Sequence, residues 1–346
     1  MAEEGTTPPI GYPAPKKVLT VLSSVDKFPD ESPTGWFLSE AAHPYKVWTE
    51  AGFSVDFAAI SCDGEEGPAK ATVDPASISM AMDSNDTVSI QFNDDQTALV
   101  ELKKLADLVE TAVETYDAIF FCGGFGAMYD FPNNDNVKTI TKAMYDAGKV
   151  VAAVCHGPIA LINIEGDGGK LIEGKEVTAF CNAEEDSFGK RAQVEPEAGP
   201  GTCEDTMTAA GAIFKAAAEP WAVLVVESGN LITGANPASA GPLAQAVVFA
   251  LDPIKRDFDP PREALVAERG SLVKELEALK AEFTKAIKPL KDSNNVDGMD
   301  ELQIKSIAAR DWNAGLLATC DSKLERLANE RYATPQAAQR GPSSSA

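Results

Sequence analysis

Val150-Val-Ala-Ala-Val-Cys-His-Gly-Pro-Ile-Ala160 is a run of small and β-branched residues that ends abruptly in Cys155-His156-Gly157 and then turns helix-like. A buried parallel strand that turns sharply into a helix has this sequence form, and it holds one reactive side chain at the strand tip, the arrangement of a nucleophile elbow. Ala153 and Gly157 leave room for the tight turn. The helix N-terminus that follows is expected to favour a thiolate over a thiol. An isolated Cys would be read as core filling, since free Cys is among the most buried residue types. The flanking pattern makes Cys155 a candidate nucleophile instead.

Working outward, apolar runs of the length of buried parallel strands recur at residues 18–23, 53–60, 118–122, 150–154 and 177–180. Amphipathic helical stretches at 36–51 and 137–147 separate several of them. Such alternation predicts an α/β fold with a doubly wound, flavodoxin-like and mostly parallel sheet, helices on both faces and right-handed crossovers. Residues 222–226 and 231–233 flank Ser228-Gly229-Asn230 and read as a hairpin, and 238–251 read as a closing helix.

Residues 1–16 are expected to form a loose N-terminal arm, and 17–252 the α/β domain. Within that domain, 62–100 is acidic and loop-rich and reads as an insertion over the carboxyl edge of the sheet, where open α/β sheets place their sites. Beyond it, Leu272, Leu276, Leu279, Phe283, Ile287 and Leu290 recur at helical steps. A helical hairpin is expected over 253–333, with a dimerising coiled coil as the alternative, and a disordered tail over 334–346.

Composition bounds the chemistry. A formal net charge of −23 argues against nucleic acid and anionic membrane as partners. No apolar run reaches the length of a membrane span, and residues 1–17 lack a signal-peptide core, so the expectation is a soluble cytoplasmic protein. The 6 Cys contain no CxxC pair, which gives no sign of a disulfide framework or a zinc site. No cofactor and no metal is called for. Because His43 and His156 are the only 2 His, imidazole chemistry must use one of them.

Three segments converge on the Cys155 edge: Gly35-Trp-Phe-Leu-Ser-Glu-Ala-Ala-His-Pro44, Gly124-Phe-Gly-Ala-Met-Tyr-Asp-Phe-Pro132, and Phe180-Cys-Asn-Ala-Glu-Glu185. The glycines of the second allow backbone N–H groups to point into a cavity. With Leu171-Ile-Glu-Gly-Lys175 and Thr233-Gly-Ala-Asn-Pro-Ala-Ser239, these motifs resemble the ThiJ/PfpI superfamily, which shares the class I glutamine amidotransferase-like fold. The likeness is greatest to its glyoxalase III and heat-shock chaperone branch and covers roughly 17–252.

That resemblance implies Cys155 as nucleophile, His156 as its triad base, Glu40 as the helix carboxyl beside the sulfur, and Glu185 as triad acid, with Glu184 or Asp186 as alternatives for the last. It also implies an oxyanion hole from the backbone N–H groups of Gly124 and His156. His43 is read as structural or pocket-lining, and Met128, Tyr129, Phe188 and Trp221 as pocket-lining candidates.

The activity implied is a cofactor-free, glutathione-independent glyoxalase that turns methylglyoxal or glyoxal into a hydroxy acid through a Cys hemithioacetal. Two other classes compete. A stress-related holdase chaperone or redox sensor with an oxidisable Cys would bind unfolded clients, and a cysteine peptidase or amidohydrolase would use the same triad. Glutaminases of this fold place their His well downstream of the Cys, and no His follows His156 here. A homodimer is compatible with the resemblance.

Overall fold

A computed structural model describes residues 15–252 apart from 63–66, 96, 167 and 197–198. The expected N-terminal arm lies almost wholly outside the described residues, and the C-terminal hairpin and tail lie wholly outside them.

The central sheet is built from β1 (Lys17–Leu22), β2 (Ser54–Ala59), β3 (Lys103–Lys104), β4 (Ala118–Phe121), β5 (Val150–Val154), β6 (Val225–Ser228) and β7 (Leu231–Gly234). Their spatial order is β6-β7-β5-β4-β1-β2-β3. All neighbours run parallel except the β6–β7 hairpin. This is the doubly wound sheet expected from the alternation of strands and helices.

Side chains alternate across a strand, so a strand covered on both faces must be apolar at every position. In β4, Ala118 and Phe120 enter one core while Ile119 and Phe121 enter the other. The same alternation divides β5, with Val150, Ala152 and Val154 on the first side and Val151 and Ala153 on the second.

The first core lies beneath α1 (Leu38–Glu50), with α2 (Pro75–Asp83) and α3 (Thr87–Asp95) at its border, and the second beneath α4 (Asp135–Asp146). Two later helices, α5 (Asn182–Phe188) and α6 (Ala240–Leu251), complete the frame used below. Trp48 of α1 is fully buried, stacks edge-on against Phe120 at 5.2 Å, and donates its indole N–H to the Ala244 carbonyl of α6 at 3.1 Å. One large side chain thereby ties two helices to the sheet.

The insertion differs from its expected loop character because it contains α2 and α3. A strap before α2 docks on the entrance to α1: Trp36 N–H donates to Thr72 O and Asp74 N–H to Trp36 O, while Leu38 N–H donates to Ser77 Oγ at 3.0 Å. Residues 177–180 also depart from expectation. Only Glu176–Val177 is strand, and it pairs with Ile213–Phe214 outside the central sheet. The place beside β7 is taken by β6, so the following amides turn elsewhere, Thr178 N–H to Thr233 Oγ1 and Phe180 N–H to the Cys155 carbonyl. Among the described residues, no helix is long and apolar enough to cross a membrane.

Candidate active site

Cys155 follows β5 with φ at 58°, a left-handed conformation that is unusual for a residue with a side chain. The end of β7 and the segment after Val177 hold it there: its N–H donates to Gly234 O at 2.9 Å, and its carbonyl accepts from Phe180 N–H at 2.9 Å. A short 3₁₀ helix, Gly157–Leu161, follows the turn, with Pro158 in its first turn. The sulfur is thus aimed at the crevice outside the carboxyl ends of β1, β4 and β5, where the strand order reverses.

His156 is 1% exposed and packs against two phenyl rings that also touch each other, Phe125 and Phe180, whose centroids lie 4.3 and 4.7 Å from the imidazole. Its Nδ1 is 3.3 Å from Cys155 Sγ, and its Nε2 is 2.8 Å from Glu185 Oε1. With Nδ1 facing a thiol, Nε2 carries the proton and donates it to the carboxylate. That orients the ring and stabilises an imidazolium when Nδ1 takes up a second proton.

Glu184 and Glu185 are both fully buried, and the phase of α5 separates their tasks. Glu185 meets His156. Glu184 turns away to accept from Cys181 N–H, Trp221 N–H and Asn236 Nδ2. Asp186 is exposed and pairs with Arg191.

Glu40 approaches the sulfur from the first turn of α1 and is 0% exposed. Its carboxyl meets the Cys155 sulfur and the Gly123 amide, yet neither oxygen has a well-formed hydrogen bond. Burial pushes this carboxyl up to about 8, against the smaller opposing pull of those two contacts. The acid is therefore protonated at neutral pH and able to donate. Gly123 permits this approach, because a Cβ there would strike the Glu40 carboxyl, the Val154 carbonyl and the Cys155 Cβ. Gly124, with φ at 97°, lies so close to Gly35, Trp36 and Phe37 that a side chain would collide with their backbone.

The thiolate expected from a helix N-terminus is not what the surroundings favour. Burial pushes the Cys155 thiol well above its ordinary value, and the adjacent Glu40 carboxyl adds to the rise. A five-residue 3₁₀ helix offers too small a dipole to offset either effect. Two buried acids face each other here, and a negative charge on one disfavours a negative charge on the other. Once Glu40 holds its proton, the repulsion disappears and its O–H is available to the sulfur.

The remaining candidates take separate places. His43 Nε2–H donates to Asp86 Oδ2 at 2.9 Å, and Asp86 also accepts from Ser89 Oγ, so His43 ties α1 to α3 and is not brought to the sulfur. Met128 is core and touches Cys203, while Tyr129 donates its hydroxyl to Gln193 O. Phe188 packs on Phe125 at 5.6 Å and on Phe180 at 6.4 Å, and Trp221 packs on Phe180 and Phe188. Sequence reading missed the packing of Phe125 and Phe180 on the imidazole, the anchoring role of Glu184, and Asn236. Phe125 and Asn236 sit inside the quoted motifs, but nothing in their spacing tells which side chain they meet. Among the described residues, no group of three or more His, Cys, Asp and Glu is arranged to hold a metal ion.

The model of the DJ-1/PfpI family matches residues 35–250. The chain is similar to glyoxalase 3 of Candida albicans, 33% identical over 241 residues that cover 68% of this chain and 98% of that protein. It is also similar to the glutathione-independent glyoxalase HSP31 of Saccharomyces cerevisiae, 33% identical over 242 residues covering 69% of this chain and 99% of the relative. Among solved structures, glyoxalase III from Candida albicans superposes with a TM-score of 0.56 at 29% identity, over 68% of this chain and 97% of that one.

Proposed function

That the chain belongs to the DJ-1/PfpI family is the premise from which we propose that it is a glutathione-independent glyoxalase, with Cys155 as nucleophile, His156 and Glu185 as base and orienting acid, and Glu40 as proton donor to the sulfur. The observation that carries this reading is the placement of one thiol between an imidazole–carboxylate pair and a separate, protonated carboxyl.

In this mechanism His156 Nδ1 takes the thiol proton as sulfur attacks the aldehyde carbon of a small 2-oxoaldehyde such as methylglyoxal. A carbon–sulfur bond forms, and the carbonyl electron pair goes to oxygen. The N–H groups of Gly124 and His156 receive that oxyanion. Glu40 or the His156 imidazolium gives its proton to the oxygen, which yields a hemithioacetal that still carries the aldehyde hydrogen and leaves that donor free to act as a base. Glu40 or His156 removes this hydrogen from the first carbon, forming an enediol, and a proton returns at the second carbon. The result is a thioester of the hydroxy acid, and water cleaves it to release lactate and the free thiol. Aldehyde and ketone are oxidised and reduced within one molecule, so the balance needs water and no external redox partner.

A redox-sensor reading fits the geometry less well. Sensor thiols are accessible and low in pKa, whereas Cys155 is 3% exposed and pushed upward. The proposed setting is a soluble cytoplasmic enzyme meeting free aldehydes.

The test is to incubate purified protein with methylglyoxal in the absence of glutathione and added metal, and to follow aldehyde loss and chiral lactate. Lactate from the wild type, absent in Cys155→Ala and formed far more slowly in Glu40→Gln, is the expected result. Well-folded wild type that makes no lactate overturns the assignment.

A further inference from the structure

Trp221 is the second residue of this site held in a left-handed backbone conformation, with φ at 69°. For a bulky side chain that conformation persists only where its surroundings over-determine it, and such strain gathers at ligand clamps. The surroundings here converge on Glu184. Its Oε1 accepts from Trp221 N–H at 2.9 Å and from Asn236 Nδ2 at 2.7 Å, while Oε2 accepts from Cys181 N–H at 3.0 Å. Asn236 also donates to Ala222 O at 2.8 Å, and the Trp221 indole N–H donates to Ser187 Oγ, which in turn donates to the Glu184 carbonyl. A fully buried carboxylate thereby joins the start of α5, the segment leading into β6 and the turn after β7.

The held indole is partly exposed and packs on Phe180 at 5.3 Å and Phe188 at 6.0 Å, and Phe180 lies on the His156 ring at 4.7 Å. Trp221 is therefore the outer layer of an aromatic wall whose inner layer touches the imidazole.

Resting on the glyoxalase reading, we propose that Glu184 is a positioning residue that locks Trp221 as the outer wall of the aldehyde site, and that this wall makes the enzyme discriminate against bulky 2-oxoaldehydes. Only a carboxylate offers acceptors to all three donors. A carboxamide must turn its NH₂ group toward Cys181 N–H or toward the Trp221 and Asn236 donors, where donor faces donor.

The experiment compares kcat/KM for methylglyoxal and phenylglyoxal in the wild type, Glu184→Gln, Trp221→Gly and the double variant. Glycine takes the left-handed backbone without strain, so Trp221→Gly removes the indole and leaves the fold intact. Each single change is expected to lower the methylglyoxal preference about tenfold, the scale on which pocket shape discriminates apolar groups. The double variant is expected to match the single ones, because Glu184 acts through Trp221. An unchanged preference in Trp221→Gly, or additive effects in the double variant, overturns the proposal. Acrylamide quenching of the emission that Trp221→Gly removes supplies a readout independent of turnover. It should rise in Glu184→Gln, and unaltered quenching overturns the positioning role even if no aldehyde is converted. Should Glu184→Gln fail to fold, Trp221→Gly alone decides whether the wall sets the preference. Wild type that converts neither aldehyde overturns the glyoxalase reading, which leaves the quenching result to judge the lock.

Discussion

Glu40 and Glu184 occupy the same position, the third residue of a helix that enters the site, and both are fully buried. Glu184 does what a glutamate at that position ordinarily does and folds back to the N-cap amide, Cys181 N–H. Glu40 has no such option, because the corresponding amide, Phe37 N–H, already donates to Gly123 O at 3.1 Å. Ser77 takes the next amide, that of Leu38. Relieved of capping, the Glu40 carboxyl is left beside the sulfur with its proton. Supplying donors turns one carboxyl into scaffold, and withholding them leaves the other free for the proposed proton transfer.

The harshest trial of that contrast removes the group Glu40 faces. Cys155→Ala is expected to cut glyoxalase turnover by at least about 10⁴-fold, as loss of a covalent nucleophile does. Turnover close to wild type would assign the chemistry to another residue and leave Glu40 without a task.

Next in size, Glu40→Gln is expected to cost about 10²- to 10⁴-fold in kcat, the range of a general acid–base group. The remaining activity should lose its alkaline limb. In the wild type that limb falls as pH rises through about 8, where Glu40 surrenders its proton. A Glu40→Gln profile that kept the limb would show that another group sets it.

The same carboxyl predicts a stability effect. Its pKa rises from an ordinary 4.5 to about 8 in the fold, so between these values the folded protein binds more protons than the unfolded chain. Its contribution is fully present below about 4.5 and is lost as pH rises toward about 8, by roughly a few kcal/mol for an isolated group. Urea denaturation at pH 5 and pH 8 should show the wild type losing more stability than Glu40→Gln over that interval. Equal losses would mean that the buried acid is already ionised.

On the other wall, Glu185→Gln keeps the shape but removes the charge that stabilises an imidazolium, and about a 10- to 100-fold drop in kcat/KM is expected. Its Cys155 alkylation rate should fall with it, and an unchanged rate would separate Glu185 from the thiol chemistry. The mildest change, Ser77→Ala, leaves the Leu38 amide without its acceptor and is expected to cost about 1 kcal/mol in thermal or urea unfolding. A shift in the alkaline limb would accompany it if the start of α1 moves. No loss of stability would mean that Ser77 is dispensable to the placement of Glu40.

Much of this is legible from sequence because strands buried on both faces read as continuous apolar runs, and an elbow ends such a run in small residues around one Cys. The sheet, the closing helix and the Cys155 turn follow from that pattern, whereas the association of Glu40 and His156 with the sulfur rests on the family resemblance. Choosing between Glu184 and Glu185 is beyond it. Adjacent residues on a helix differ by a rotation of about 100°, and which one faces the imidazole depends on where α5 begins. The state of the thiol escapes the sequence for a related reason: local sequence displays the turn after Cys155 but not the burial and the neighbouring acid that outweigh it. Residues 177–180 mislead because an apolar run is equally suited to a sheet or to a segment packed beside one. Here β6 has already taken the sheet's remaining place.

The strap before α2 has a consequence of another kind. Thr72, Asp74 and Ser77 belong to the insertion, outside the repeating strand–helix frame, yet they hold the backbone at Trp36 and Leu38 from which Glu40 projects. The proposed nucleophile and proton donor therefore belong to separable parts, the elbow to the framework and the acid's setting to an ornament upon it. A relative that kept the elbow and exchanged the ornament would inherit the cysteine while being free to change its reaction.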